Sequence, residues 1–146
     1  YIYNKCPSIN LFAVVRNPFS IMQSLFSHWI KRRGKLLNFN EKIITLREFV
    51  LETCENPCIN DQSSFILDHT GNIPKNLDIL RFENLQNDFD KYIKKVLPDN
   101  AKSTKLMHLN KRTNFKDHLD DELKLLIKKR FKRDFELFEE YKTSKF

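Results

Sequence analysis

Apolar and polar positions along this chain sort into short runs and helical stripes. Leu11-Phe12-Ala13-Val14-Val15 is an unbroken apolar run rich in strand formers, and it ends at Arg16. A run of this kind predicts a strand buried on both faces, as in a parallel sheet. Asn17-Pro18 follows, an N-cap residue and then a proline suited to the first helical position, so a helix is predicted from Pro18 to Arg33. Met22, Leu25, Phe26 and Trp29 give it an apolar stripe at helical spacing. Ser20, Ser24 and His28 recur on roughly the opposite face, and Gly34 closes the helix as a C′ residue.

A second helix is predicted from the capping box Thr45-x-x-Glu48 to the break at Asn56-Pro57, with Leu46, Phe49, Val50 and Leu51 as its apolar positions. Ser64 to Leu67 and Asp78 to Phe82 read as two strands. Between them lie Asp68-His69-Thr70-Gly71-Asn72, a turn signal, and Pro74. A third helix is predicted from Gln86 to Val96 on the stripe Phe89, Tyr92, Ile93 and Val96, with Pro98 beyond its end. Residues 101–114 are polar and predict a loop. One long helix is predicted from Asp120 to Tyr141, because Leu123, Leu126, Ile127, Phe131, Phe135 and Phe138 keep helical spacing throughout. Strands alternating with helices predict an α/β domain with a parallel sheet core flanked by helices.

Composition narrows the function. The chain has 146 residues, 40% of them hydrophobic and 13 of them Phe, enough to bury a core and too apolar for a disordered chain. No apolar run is long enough to predict a membrane span. Only 2 residues are glycine, Gly34 and Gly71, each isolated, which excludes a glycine-rich phosphate cradle within these residues. Lys plus Arg number 26 against 19 Asp plus Glu, and the net charge of +7 attracts polyanions or small anions. Lys31-Arg32-Arg33 forms one basic cluster. A second, Lys128-Lys129-Arg130 with Lys132-Arg133, is interspersed with acidic residues and reads as a solvated helix face. A nucleic-acid-binding module would suit the charge, but most aromatics fall on core stripes rather than among exposed basic residues. The cysteines, Cys6, Cys54 and Cys58, are odd in number and lack the second ligand pair of a closed zinc site. A Cys54–Cys58 disulfide and buried free thiols both fit, so the redox compartment stays open.

The sharpest chemistry lies at the end of the first strand. Ligands of open α/β sheets bind beyond the carboxyl ends of the strands, and a helix N-terminus presents free N–H groups and a positive dipole. Arg16 ends the strand, Asn17-Pro18 starts the helix, and Ser24 lies two turns in. A guanidinium fork, a helix start and a hydroxyl describe an anion site that needs no glycine loop. The competing assignment pairs Arg16 with a carboxylate and leaves Ser24 facing water.

The segment Phe12-Ala13-Val14-Val15-Arg16-Asn17-Pro18-Phe19, followed by Ser24-Leu25-Phe26 and His28-Trp29, resembles the 3′-phosphate-binding segment of sulfotransferases. Further similar stretches follow in order: Gln62-Ser63-Ser64-Phe65-Ile66-Leu67-Asp68, Arg81-Phe82-Glu83-Asn84-Leu85 with Asp88-Phe89, His108-Leu109-Asn110, and Asp134-Phe135-Glu136-Leu137-Phe138. The chain is most similar to the carbohydrate and membrane-associated group. The resemblance implies a three-layer fold like that of P-loop nucleotide-binding proteins. It implies transfer of a sulfuryl group from 3′-phosphoadenosine 5′-phosphosulfate (PAPS) to a hydroxyl acceptor, expected to be a sugar, without a metal. Arg16 and Ser24 would hold the 3′-phosphate together with the Asn17-Pro18 helix start. Lys111 and Arg112 match only by position a late basic loop that grips the same phosphate in some members.

The family's 5′-phosphosulfate loop, with its lysine and its threonine or serine, has no counterpart in this chain. The catalytic base of the family is a histidine or glutamate ahead of the Arg-Asn-Pro segment. The residues from Tyr1 to Val15 contain neither, so the base and the phosphate loop are both expected upstream of Tyr1. The chain is therefore expected to be the C-terminal part of a sulfotransferase domain, lacking the first strand and phosphate loop and showing little catalysis alone. A non-catalytic domain that keeps the fold is the rival of another class. His28 is expected to serve a surface or partner contact, and Glu83 to bind N–H groups at a helix start. For Arg81, a buried pair with a carboxylate and a ligand contact stay equally open. His69, His108 and His118 have no assigned partner.

Overall fold

In a computed structural model of the chain, residues 9–32, 45–100, 105–107 and 118–141 are described. They form an α/β structure: β1 (Leu11–Val15), α1 (Pro18–Arg32), α2 (Leu46–Glu55), α3 (Gln62–Ile66), β2 (Leu77–Arg81), α4 (Leu85–Val96), α5 (Asp121–Arg130) and α6 (Lys132–Glu140). Short 3-10 turns at Phe82–Asn84 and Pro98–Asn100 flank α4. The elements divide into two compact units.

The sheet unit is built on β1, α3, β2, α4 and the end of α6. β1 and β2 pair in parallel, from Leu11 opposite Leu77 to Val15 opposite Arg81. Side chains alternate across a strand, so Leu11, Ala13 and Val15 share a face with Leu77 and Ile79. That face packs with Ile66, Leu137 and Phe138. On the other face Phe12 meets the rings of Phe89 and Tyr92 at 6.0 and 5.1 Å. Phe12 and Val14 nonetheless stay 46% and 38% exposed, so β1 is not buried on both faces as its apolar run predicts. In a sheet of two strands the helices cover that face only in part.

The predicted strand at Ser64–Leu67 is instead the end of the short helix α3. Ser63 and Ile66, three apart, are buried while Phe65 is 67% exposed, a helical rather than an alternating pattern. The turn after it forms as predicted. Asp68 Oδ1 accepts from the N–H groups of Thr70 and Asn72 at 2.8 and 3.0 Å, and Gly71 takes φ +80°. Nothing lies near the Cβ that alanine would add there, so Gly71→Ala acts through backbone strain alone and is expected to cost about 1 kcal/mol. The Thr70 hydroxyl, with the Asn72 N–H, holds the Asp68 carboxyl below the usual aspartate range. A depressed folded value stabilises the turn above the unfolded value and is lost as pH falls through the folded one. Protection factors of the Thr70 and Asn72 amides, each referred to the intrinsic exchange rate at that pH, should therefore fall on acidification through that range, and constant protection factors would contradict the network.

The helical unit is built on α1, α2, α5 and the start of α6. Met22, Phe26 and Trp29 of α1 pack with Leu46, Phe49 and Val50 of α2 and with Leu123, Ile127 and Phe131. The capping box is complete: Thr45 Oγ1 accepts from Glu48 N–H, and Glu48 Oε2 accepts from Thr45 N–H. Asp120 caps α5 through Leu123 N–H at 2.8 Å. The single long helix predicted from Asp120 to Tyr141 is interrupted at Phe131, whose φ of −108° and ψ of 37° leave the helical region. No glycine or proline marks the break. Phe131 belongs to the helical core, whereas Leu137 and Phe138 belong to the sheet core.

Candidate functional site

Arg16 directly follows β1, and its main chain is fixed on both sides. Its N–H donates to Gln62 Oε1 and its carbonyl accepts from Gln62 Nε2, each at 2.9 Å. The Gln62 amide thus takes the place of a neighbouring strand, and α3 carries it there. The Arg16 guanidinium lies 4.2 Å from the centre of the Phe82 ring. A guanidinium over a ring is held by the ring's quadrupole, and its planar N–H fork suits phosphate oxygens.

The end of β2 is fixed by Asp88, which is 1% exposed. Asp88 Oδ2 accepts from Arg81 N–H at 3.0 Å and Oδ1 from Asn84 Nδ2 at 2.8 Å. Satisfying that carboxylate with two donors is what makes its burial tolerable. Asp88 is therefore a carboxylate that closes the strand end. The Arg81 guanidinium lies 5.8 Å from the Phe138 ring centre, and its buried Nε has no hydrogen-bond partner among the described residues. Val15 pairs with Arg81, so strand alternation puts Arg16 and Arg81 at the same end of the sheet on opposite faces.

Asn17 caps α1 as predicted. Its Oδ1 accepts from Phe19 N–H at 2.9 Å and its carbonyl from Ile21 N–H at 3.0 Å. This fixes the helix start and leaves Asn17 a positioning side chain. Ser24 lies half-buried on α1 and His28 is exposed. Arg16 belongs to the sheet unit, and Asn17 and Ser24 to the helical unit. Lys111, Arg112, His108 and Cys6 lie outside the described residues, as do Arg33 and Gly34 at the predicted end of the first helix. Tyr1, ahead of which the catalytic base is expected, lies outside them too.

The structure thus brings Gln62, Phe82 and Arg16 together, a grouping that spacing alone does not reveal. Gln62 opens one of the motif stretches, but no periodicity marks its contact with a residue 46 positions away. Elsewhere, Lys128, Lys129, Lys132 and Arg133 are exposed, as predicted for a solvated face. Arg130 departs from that pattern: its Nη2 donates to Ile59 O at 2.7 Å and its guanidinium lies over Phe131. Cys54 and Cys58 are free thiols, the first half-buried and the second exposed. Burial pushes the Cys54 thiol up, with Arg130 opposing. Among the described residues, no cluster of histidine, cysteine or carboxylate side chains could hold a metal ion, and no helix is long and apolar enough to cross a membrane. No family model, no curated protein and no solved structure matches this chain.

Proposed function

We propose that this chain supplies the 3′-phosphate-binding part of a PAPS-dependent sulfotransferase with a P-loop-like fold. The observation that carries the proposal is Arg16: a guanidinium at the carboxyl end of a strand in a parallel pair, its main chain clamped by Gln62 and its Cζ 4.2 Å from the centre of the Phe82 ring. Clamping lowers the ordering cost that a phosphate contact would otherwise carry. Asn17 supports the same purpose by fixing the start of α1. The place of Ser24 rests on its spacing from Arg16 in the sequence.

In the reaction an acceptor hydroxyl oxygen, expected to be a sugar's, attacks the sulfur in line. The bond from sulfur to the 5′-phosphate oxygen breaks, and 3′-phosphoadenosine 5′-phosphate leaves. Such transfers depend on positioning and on charge stabilisation. Arg16 would anchor the nucleotide at its 3′-phosphate and so set where the sulfuryl group lies. No residue of this chain is assigned as the base.

Binding of 3′-phosphoadenosine 5′-phosphate and of adenosine 5′-phosphate to the chain tests this. The 3′-phosphate is expected to strengthen binding by about tenfold or more, the value of a charge-assisted contact. Equal affinities, or steeply salt-dependent binding of single-stranded DNA unaffected by the nucleotide, would contradict it.

A further inference from the structure

Arg81 ends β2, and the sequence leaves it two roles: a buried pair with a carboxylate or a contact to a ligand. Its main chain is fixed by Asp88, whose two oxygens accept from Arg81 N–H and from Asn84 Nδ2. Its side chain shares a face with Val15, its partner in the strand pair. Leu77, Ile79, Leu137 and Phe138 pack on that face, and the guanidinium lies 5.8 Å from the Phe138 ring centre. Among the described residues, no carboxylate forms an ion pair with that guanidinium, and its buried Nε donates to no acceptor.

A buried charged donor without an acceptor carries a desolvation cost that a hydrogen bond would recover. The Phe138 ring attracts the cation but offers no oxygen or nitrogen to accept an N–H bond. Asp88 is a carboxylate close at hand, yet it serves the main chain of Arg81 and not its side chain. The place is the carboxyl end of a strand in a parallel pair, where ligands of open α/β sheets bind. Arg81 stays partly exposed, so a solute has access to it. A guanidinium fork takes phosphate, sulfate or carboxylate oxygens in pairs.

We propose that Arg81 binds an oxyanion, distinct from the group assigned to Arg16. The two arginines leave the same end of the sheet on opposite faces, so their guanidinium groups meet different groups. The oxyanion is a phosphate, sulfate or carboxylate, carried by a nucleotide or by an anionic sugar. The proposal stands whichever of the two supplies it, and so does not depend on the reading of Arg16.

The test follows the Arg81 Nε–H signal by nitrogen-15 NMR of the 146-residue chain, with the signal assigned by its loss in Arg81→Met. Sodium sulfate at constant ionic strength is expected to move it saturably, and to do so equally in Arg16→Ala, which lacks the other guanidinium. Sodium chloride should leave it in place. Without added anion, Arg81→Met should melt no lower than the unaltered chain, because methionine keeps an apolar stem and removes an unpaired charge. In Arg16→Ala, 3′-phosphoadenosine 5′-phosphate and glucuronic acid then distinguish the sources. The compound that carries the oxyanion should saturate the signal at a concentration about tenfold or more below that of sulfate. Absence of a saturable shift, the same shift with chloride, or its loss in Arg16→Ala would overturn the proposal. So would a lower melting temperature of Arg81→Met, the sign of an internal acceptor. Failure of both compounds to outdo sulfate would mean an adventitious ion only, and would overturn it too.

Discussion

Phe49→Ala is expected to destabilise the helical unit by about 3–5 kcal/mol, the range for emptying a fully packed aromatic site. Phe49 is 0% exposed, and its ring centre lies 5.6 Å from that of Phe26 and 6.4 Å from that of Trp29. Those contacts join α1 to α2, so the cavity opens where the two helices meet. Trp29 is the single tryptophan of the chain and reports on this core directly. Urea unfolding followed by its fluorescence measures the loss. Phe65→Ala is the matched control: Phe65 is 67% exposed, and its removal should change stability by no more than about 0.5 kcal/mol. Similar losses for the two variants would contradict the assignment of this core.

Arg16→Ala is expected to weaken binding of 3′-phosphoadenosine 5′-phosphate by about 1.5–3 kcal/mol, the worth of a hydrogen-bonded charge. That corresponds to about tenfold to a little over a hundredfold in affinity. The fold should survive, because Gln62 holds the main chain of Arg16 and not its side chain. Arg16→Lys separates charge from shape. Lysine keeps the charge but loses the planar fork and the guanidinium contact with the Phe82 ring, so it should restore only part of the affinity. Full restoration by lysine would mean that charge alone matters at this position.

Where local signals were strong, the sequence was legible. The Asn17 cap, the Thr45–Glu48 box, the Asp68–Asn72 turn and both paired strands follow from rules that act over a few residues. Phe65-Ile66-Leu67 misled because a short apolar run has no periodicity of its own, and burial of Ser63 decided for a helix. The break at Phe131 was illegible for a related reason. Helical spacing continues straight through it, with Phe131 and Phe135 both packed in the helical core, and no glycine or proline marks the place. At the site, Arg16 was visible as the polar end of an apolar run. Its partners Gln62 and Phe82 were not, because nothing local ties them to a strand far away in the chain. Asp88 was hidden in the same way, since its carboxylate reaches back seven residues to the end of β2.

The most direct test of the Arg16 site is a calorimetric cycle. The chain and its Arg16→Ala variant are each titrated with 3′-phosphoadenosine 5′-phosphate and with adenosine 5′-phosphate. The predicted result is a loss of about tenfold or more for the first nucleotide and none for the second, which places the guanidinium on the 3′-phosphate. An equal loss for both nucleotides, or no loss for either, would contradict it.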